Sequence, residues 1–364
     1  MKIPLCDLQV TAQAKAYVND ALDTNWIGGA GEYLTKLGVE LCYVTGRLFA
    51  IPCANGTLAL EVALMALGVG PGDEVIVPAL TFVSPAAAVC RVGATPVFAD
   101  VHPETWTLDP LQLDGLITIK TKVIIAVDLL GHVADYALLY KAAKGVPIIE
   151  DAAEAHGATG RYLQAGAWGD IATFSFHANK TIPAGEGGAV LCDNPLLAGK
   201  LKRIVNHGMT AERPYHHEMV GTNARMTNLT AALLLAQVER WDALVEARQN
   251  VASAYDVLLD GKIGRRPVAK WAAEACWLYT VYHPERDRLV KALRDAGIDA
   301  RAIWPALPDN PAYQRYNFDG YPVARRVAAE AFWLPTWAGM PQETIEEVAT
   351  ALLEALAEVE GVKA

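Results

Sequence analysis

Lys180 lies where an apolar run ends and a glycine-rich turn begins. Residues 171–176 read Ile-Ala-Thr-Phe-Ser-Phe, and Gly-Glu-Gly-Gly follows the lysine at 185–188. A lysine placed in this way can be desolvated, which lowers the pKa of its amine and suits it to act as a Schiff-base nucleophile. Ser175 could hydrogen-bond an anion. His177 could have a catalytic role, or it could be a capping or core histidine. On this segment alone, an ordinary solvated lysine remains the alternative.

Three acidic residues lie at and just after the end of another apolar run, residues 147–151. They are Glu150, Asp151 and Glu154. A carboxylate at the end of a buried strand costs desolvation free energy unless it meets a cation. A protonated pyridine nitrogen would be such a cation, and the pairing would keep the ring charged so that it can act as an electron sink. The alternative is a helix-capping aspartate with solvated neighbours.

Two further segments have the residue types of an anion site. Gly56 and Thr57 open a predicted helix, where free backbone N–H groups and a hydroxyl suit a phosphate. Gly and Thr also make ordinary helix caps. Arg225 precedes a second predicted helix whose N-cap is Thr227. This arginine could bind an anion or merely pair with a neighbouring carboxylate.

Short β-branched runs alternate with Ala/Leu-rich helical stretches through the first two thirds of the chain. This alternation predicts an α/β layer fold with a largely parallel sheet, whose ligands bind at the carboxyl ends of the strands. The predicted strands are residues 74–77, 95–100, 122–127, 147–151, 171–176 and 188–192, and the predicted helices include 57–67, 85–92 and 136–144.

The pattern changes after Thr227. Apolar residues recur at helical spacing and neither Gly nor Pro occurs before Gly261, which predicts one helix of more than about 25 residues that bridges two lobes. A strand at 278–282, a helix at 286–295, a strand at 300–304 and a final helix from about Pro341 follow. We therefore predict a large domain at 1–240 and a small C-terminal α+β domain at 241–364.

Composition excludes several classes of function. The chain of 364 residues has 31 Lys plus Arg against 41 Asp plus Glu, a net charge of −10, which argues against a broad nucleic-acid surface. Its six cysteines are scattered without a C-x-x-C pair, so neither a metal site nor a disulfide framework is expected. No apolar window approaches about 18 residues, and we expect a soluble cytoplasmic protein with no membrane partner.

Five short motifs occur in a fixed order along the chain: Gly-Thr at 56–57, Glu-Asp-Ala-Ala-Glu-Ala at 150–155, Ser-Phe-His-Ala-Asn-Lys at 175–180, Gly-Glu-Gly-Gly at 185–188 and Asn-x-Arg-Met-Thr at 223–227. Together they resemble the DegT/DnrJ/EryC1/StrS sugar aminotransferases, which are fold-type I enzymes. The resemblance implies a mostly parallel, seven-stranded-type sheet in a three-layer α/β/α large domain. It also implies pyridoxal 5'-phosphate as cofactor, with pyridoxamine 5'-phosphate as its intermediate form.

The same resemblance implies a role for each matching residue. Lys180 would bind the cofactor covalently and be the catalytic residue. Asp151 would pair with the pyridine nitrogen, and Glu154 would lie near the ring hydroxyl. Phe82 would stack on the ring. Gly56, Thr57 and Ser175 would hold the phosphate, Asn223 would reach the phosphate of the neighbouring subunit's cofactor in a homodimer with shared sites, and Trp26, His177, Arg225 and Trp304 would contact substrate.

Within the family the chain looks similar to the perosamine synthase group. That group implies L-glutamate as donor, C4 of a GDP-linked 4-keto-6-deoxy sugar as acceptor, and a role in polysaccharide (O-antigen) biosynthesis. Two stretches depart from the family pattern on the expected sugar side: residues 128–132, where many relatives have His-Leu-Tyr-Gly, and residues 304–307, which lack a Pro-x-His. They leave the sugar open.

Several alternatives therefore remain. The acceptor could be a UDP- or dTDP-linked sugar, a C3 ketone or a keto-cyclitol, and the protein could be a non-catalytic, cofactor-binding regulator. Lys180 favours transamination, because related 3-dehydratases have histidine there. A dinucleotide oxidoreductase is disfavoured, since neither glycine run completes G-x-G-x-x-G.

Overall fold

The computed structural model describes residues 1–210, 213–317 and 320–361. Strands and helices alternate from residue 49 to the end of the strand at Ile148–Asp151, as the sequence pattern predicts. In chain order the strands are β1 Phe49–Cys53, β2 Glu74–Pro78, β3 Thr95–Ala99, β4 Thr121–Val127, β5 Ile148–Asp151, β6 Thr159–Gly160, β7 Leu163–Gln164, β8 Ile171–Ser175, β9 Gly188–Cys192, β10 Gly264–Arg265, β11 Ala272–Ala273, β12 Tyr279–Tyr282, β13 Arg301–Ala302 and β14 Ala331–Leu334.

Helices cover the sheet and extend beyond it. They are α1 Ala12–Asp23, α2 Glu32–Thr45, α3 Gly56–Ala66, α4 Ser84–Arg91, α5 Leu113–Leu116, α6 Tyr136–Ala142, α7 Pro195–Val205, α8 Asn228–Val238, α9 Trp241–Leu259, α10 Arg286–Asp295, α11 Pro322–Glu330 and α12 Gln342–Glu360.

A seven-stranded sheet of order β1-β9-β8-β5-β4-β2-β3 forms the centre of the described part of the chain. β9 is antiparallel to both of its neighbours, and the remaining pairs are parallel. The predicted mostly parallel sheet is thus confirmed, together with its six predicted strands. β1 was not among them; it contains Pro52, which removes a backbone donor and is tolerated because β1 is an edge strand.

The two faces of the sheet belong to two different cores. Along β4, Val123, Ile125 and Val127 pack into one apolar cluster, whereas Ile124 and Ala126 pack into the other. Successive side chains of a strand point to opposite faces, so a strand covered on both faces must be apolar throughout. This arrangement is the predicted three-layer α/β/α architecture.

The prediction of one uninterrupted helix after Thr227 is wrong. The structure has α8 and α9, separated at Glu239 and Arg240, and Arg240 leaves helical geometry at φ −112° and ψ 19°. No helix breaker marks this point, because the break is set by packing. The next residue, Trp241, is buried against the ring of Phe174, and α9 turns to pack against α12. Tertiary contacts here override local helix propensity.

A second, antiparallel sheet follows α9. Its order is β10-β12-β14-β13, and its apolar residues share a core with α9, α10 and α12. This sheet contains the predicted strands near 278–282 and 300–304, and the predicted helix at 286–295 is α10. The domain boundary at residue 240 stays a prediction. No helix within the described residues is both long and apolar enough to cross a membrane.

Gly188 lies where β1, β8 and the start of α3 meet. It pairs with Cys53 of β1 on one side and with Ser175 of β8 on the other. A Cβ at this position would lie 2.4 Å from the carbonyl carbon of Asn55 and 2.8 Å from the amide nitrogen of Gly56. Because those atoms belong to the backbone, they cannot move aside as a flexible side chain would.

We therefore expect Gly188→Ala to lower the free energy of unfolding by about 3 kcal/mol, as overpacking does, and to weaken cofactor binding. Urea denaturation measures the first effect. Gly70→Ala is the matched control, since a Cβ there has nothing within 4 Å, and its stability should stay within about 1 kcal/mol of the unsubstituted chain. Equal stability of the two variants would contradict the proposed close contact.

Candidate active site

A cavity of about 640 Å³ opens at the carboxyl ends of the parallel strands. Val127, Asp151 and Ser175, the last residues of β4, β5 and β8, all line it. This is where ligands bind in sheets of this class. Of the residues that the sequence singled out, the cavity brings together Gly56, Thr57, Phe82, Asp151, Glu154, Ser175, His177, Lys180 and Trp304.

The amine of Lys180 is held inside this cavity. The residue is 8% exposed, and its Nζ lies 3.7 Å from Glu154 Oε1 and 3.8 Å from the centre of the Trp277 indole ring. Desolvation lowers the pKa of Lys180, the charges of Glu154 and Asp151 oppose that shift, and Arg248 adds to it. Lys180 therefore has the environment that a nucleophilic amine requires.

Asp151 is a buried carboxyl group at the edge of the cavity. Its Oδ1 accepts a hydrogen bond from the Ala153 amide at 3.2 Å. Burial raises the pKa of Asp151 to about 7, an effect that the charge of Glu154 reinforces and that of Lys180 opposes. A cation placed against this carboxyl would restore its charged form.

The turn after β4 positions Glu154. The amide of Leu130 donates to Glu154 Oε2 at 2.9 Å, and Leu130 has a left-handed backbone conformation with φ +55°. The guanidinium of Arg266 holds this turn by donating to the Leu129 carbonyl at 2.7 Å, and it also pairs with Glu274. The left-handed turn therefore orients a carboxylate toward the lysine.

Asp128 begins this turn and does not line the cavity. It is fully buried, and its Oδ1 accepts from the Ala134 amide at 2.9 Å and from the Tyr136 hydroxyl at 3.0 Å. Burial and the charge of Glu150 raise the pKa of Asp128 well above its usual range. His132 is equally buried. The departure from the family pattern at 128–132 therefore puts Asp128 and His132 in buried, supporting positions, and the expectation that this stretch lies on the sugar side stays a prediction.

The N-terminus of α3 presents an anion seat. Asn55 caps the helix by accepting from the Leu58 amide at 2.9 Å, which leaves the first backbone N–H groups without intrahelical partners. A Cβ at Gly56 would lie 2.8 Å from that of Ser175, so glycine permits this close approach. Thr57 Oγ1 lies 2.7 Å from Ser84 Oγ, a hydroxyl that sequence reasoning missed.

Aromatic rings form another wall. Phe82 is half exposed, and its ring centre lies 6.1 Å from that of Trp304. Trp304 in turn stacks near Trp277, at 6.1 Å and 16°, and meets Trp333 edge-on at 4.9 Å. The sequence did not identify Trp277 or Trp333, because each sits in an apolar stretch that looks like ordinary core. Only the fold shows that they reach the cavity.

His177 is exposed and lines the cavity, which excludes the alternative of a core histidine. Its Nδ1 lies 3.0 Å from Asn179 Oδ1. Its role stays a prediction.

Three of the predicted substrate or cofactor residues lie outside this cavity. Arg225 donates to Asn206 Oδ1 at 2.7 Å and to Asn223 Oδ1 at 3.1 Å. Its partners are therefore side-chain amides and not the neighbouring carboxylate that the sequence left as an alternative. Trp26 is 59% exposed, and its carbonyl accepts from the side chain of Asn228 at 2.6 Å. Trp26, Asn223 and Arg225 therefore lie outside the cavity of their own chain.

In the described ranges, no group of three or more His, Cys, Asp or Glu side chains is arranged to hold a metal ion.

Comparison with known proteins adds independent findings. Residues 9–353 match the DegT/DnrJ/EryC1/StrS aminotransferase family. The chain is 38% identical to the GDP-perosamine synthase of Caulobacter vibrioides, covering 98% of each protein. It is 36% identical to the UDP-2-acetamido-2-deoxy-3-oxo-D-glucuronate aminotransferase of Pseudomonas aeruginosa, covering 88% of this chain and 90% of that protein. Spr1654 of Streptococcus pneumoniae, solved in its PMP form, superposes with a TM-score of 0.94 at 29% identity and covers 100% of this chain and 99% of its own.

Spr1654 has also been solved in its PLP form, with a TM-score of 0.93 to this chain. A desolvated lysine, a buried aspartate and a helix N-terminus meet in one cavity of a chain that matches the family over nearly its whole length. The chain is a pyridoxal-phosphate-dependent aminotransferase and belongs to the DegT/DnrJ/EryC1/StrS aminotransferase family.

Proposed function

We propose that this enzyme transfers an amino group from L-glutamate to C4 of a GDP-linked 4-keto-6-deoxy sugar. The observation that carries the choice of acceptor is the 38% identity with a GDP-perosamine synthase over 98% of both chains. The Pseudomonas aeruginosa relative, whose name specifies a UDP-linked 3-oxo sugar, favours a second candidate: the same transfer to a C3 ketone on a UDP-linked sugar.

The residues of the cavity fit pyridoxal phosphate. When bound, this group supplies an electron sink for bond changes at the carbon that carries the amine. Asp151 would face the pyridine nitrogen, because burial raises the pKa of its carboxyl to about 7 and a cation placed there would favour the charged form. Gly56, Thr57 and Ser175 would hold the phosphate at the N-terminus of α3, and Phe82 would cover the ring.

Lys180 would move the proton. Desolvation lowers the pKa of its amine, which favours the neutral form that accepts a proton. Glu154 lies 3.7 Å from that amine and accepts a hydrogen bond from the Leu130 amide. The fixed carboxylate would orient the amine of Lys180. The indole of Trp277 covers the amine on another side and keeps water away from it.

The outer part of the cavity would take the sugar nucleotide. The rings of Phe82 and Trp304 offer flat apolar surfaces to a sugar or a base. Arg91 and Arg301 also line the cavity and would face the diphosphate. Arg301 is preorganised, because Asp299 holds its guanidinium through two hydrogen bonds of 3.0 and 2.7 Å.

We also propose a homodimer in which Asn223, Arg225 and Trp26 serve the partner's site. What supports this is their position on an exposed surface outside their own cavity, where Asn223 is bonded to Arg225 and its amide is presented to solvent.

The test of the function begins with the visible absorption spectrum of the enzyme with bound cofactor. L-glutamate should bleach the long-wavelength band, and a panel of keto-sugar nucleotides should then restore it, the GDP-linked 4-keto-6-deoxy sugar fastest. Restoration only by a UDP-linked 3-oxo sugar would select the second candidate. Lys180→Ala should show no such band and no turnover, whereas Lys120→Ala, an exposed lysine elsewhere, should behave like the unsubstituted enzyme. Turnover by the Lys180 variant would refute the assignment.

Asp151 should make the stability of the cofactor-free protein depend on pH. Its folded pKa of about 7 lies above its ordinary value of 3.8, so the folded state holds the proton more tightly and loses stability as the pH rises through this window. Asp151→Asn cannot ionise. The variant should therefore gain about 2 to 3 kcal/mol relative to the unsubstituted chain between pH 5 and pH 8. Urea denaturation at the two pH values measures this gain. If the stability difference between the variant and the unsubstituted chain is the same at pH 5 and pH 8, the pKa of Asp151 is not raised in the folded protein.

Mixing two inactive variants tests the shared site. Lys180→Ala removes the amine, and Asn223→Asp keeps the bond to Arg225 but presents a negative oxygen to the phosphate. If sites are shared, a mixed dimer has one site with both native residues. Random exchange should then restore about a quarter of the original activity, since half of the dimers are mixed and each has one intact site of two. Activity that stays near zero after exchange would show that each site uses the Asn223 of its own subunit.

A further inference from the structure

A second cavity lies behind the turn that carries Lys180. It has a volume of about 130 Å³ and shares no lining residue with the active-site cavity. Lys180 lines one cavity and the next residue, Thr181, lines the other. Its remaining walls come from residues 7–9, from the junction of α8 and α9, and from residues 338–339.

Arg248 is a buried cation on this wall. It is 3% exposed and donates to the backbone carbonyls of Asn179 at 3.2 Å, Lys180 at 3.0 Å and Trp277. Its Nε is buried without a hydrogen-bond partner. Burial lowers the pKa of Arg248 to about 10, so the group is charged at neutral pH. Among the described residues, no carboxylate forms an ion pair with it.

Three more residues of the cavity lining each carry a buried polar atom that has no hydrogen-bond partner. Arg240 contributes Nη1, Gln237 contributes Oε1, and Thr181 contributes Oγ1. Gln237 is 1% exposed and uses its Nε2 to donate to the Gln9 carbonyl at 3.2 Å, which fixes its amide oxygen as a free acceptor. An unpaired buried polar group costs free energy, so four of them at one cavity point to a ligand.

We propose that this cavity binds a small oxyanion that retains one proton, of the hydrogen phosphate class. The guanidinium groups of Arg240 and Arg248 would donate to its oxygens, and its hydroxyl would donate to Gln237 Oε1. The volume suffices for one tetrahedral anion with ordered water, since a water occupies about 30 Å³. Asp7, the one acid among the described residues of this lining, is exposed to solvent.

The site would act on the catalytic lysine through charge. Arg248 holds the carbonyl of Lys180, and its positive charge is one of the causes that lower the pKa of that amine. An anion bound to Arg248 offsets this charge. Occupancy would therefore raise the pKa of Lys180 without any contact with substrate. The inference rests on neither the donor nor the acceptor proposed above.

Isothermal titration calorimetry of the cofactor-loaded enzyme with inorganic phosphate, at constant ionic strength, tests binding. We expect saturable binding with a Kd of about 1 mM, weakened at least about tenfold by Arg240→Gln. Ala247→Leu, which keeps both arginines but fills the cavity from α9, should weaken it similarly. Arg288→Gln removes an exposed arginine on α10 and should leave it unchanged. Using both variants guards against loss of folding in one of them.

Two outcomes would overturn the site: absence of saturable binding to the unsubstituted enzyme, or binding that both cavity variants retain, which would place the phosphate elsewhere.

Sulfate, which has no hydroxyl at neutral pH, should bind about tenfold more weakly, and equal binding would refute the role of Gln237. The pH titration of the cofactor's absorption band should shift to higher pH with phosphate in the unsubstituted enzyme but not in Arg240→Gln. The same shift in both would refute the coupling to Lys180.

Discussion

The site depends on one constraint: the amine of Lys180 must be kept from bulk water and still face an open cavity. Desolvation lowers the pKa of this amine, and the surrounding charges oppose or reinforce that shift. Glu154 and Asp151 on the cavity side favour the charged amine, whereas Arg248 behind the turn favours the neutral one. Each of these residues is buried, so water screens their effect on the amine far less than at a surface.

Strand β5 shows how one short segment supplies two carboxyl groups with different tasks. Asp151 reaches the cavity, while Glu150, one residue earlier, points to the opposite face of the sheet. There Glu150 accepts from the amides of Gly166 at 2.6 Å and Trp168 at 2.7 Å, close to the guanidinium of Arg47. Glu150 therefore fixes the loop that follows β7, and Asp151 is left free for chemistry. The alternation of a strand, period two, is the reason.

The turn after β4 is connected to the site through its backbone. The residues that depart from the family pattern make buried contacts. Asp128 accepts hydrogen bonds from the Ala134 amide and the Tyr136 hydroxyl, and the Leu130 amide donates to Glu154. Glu154 Oε1 in turn lies 3.7 Å from the amine of Lys180, which links this turn to the lysine. Differences at Trp304 are of another kind, since that ring lines the cavity and faces the space where a sugar would lie.

The sequence by itself determined the layer architecture, six of the seven strands of the central sheet, and the segments that carry Lys180, Asp151, Ser175 and Gly56. These follow from local patterns, because periodicity of apolar residues and placement of glycine are read within a few residues. The tertiary structure alone decided where α8 ends, since the break at Arg240 comes from the packing of Trp241. Only the tertiary structure placed Trp277 and Trp333 at the cavity. It also brought together, behind the turn of Lys180, the residues whose buried polar atoms have no hydrogen-bond partner. Those features join residues from opposite ends of the chain, and no local pattern records which distant side chains will meet.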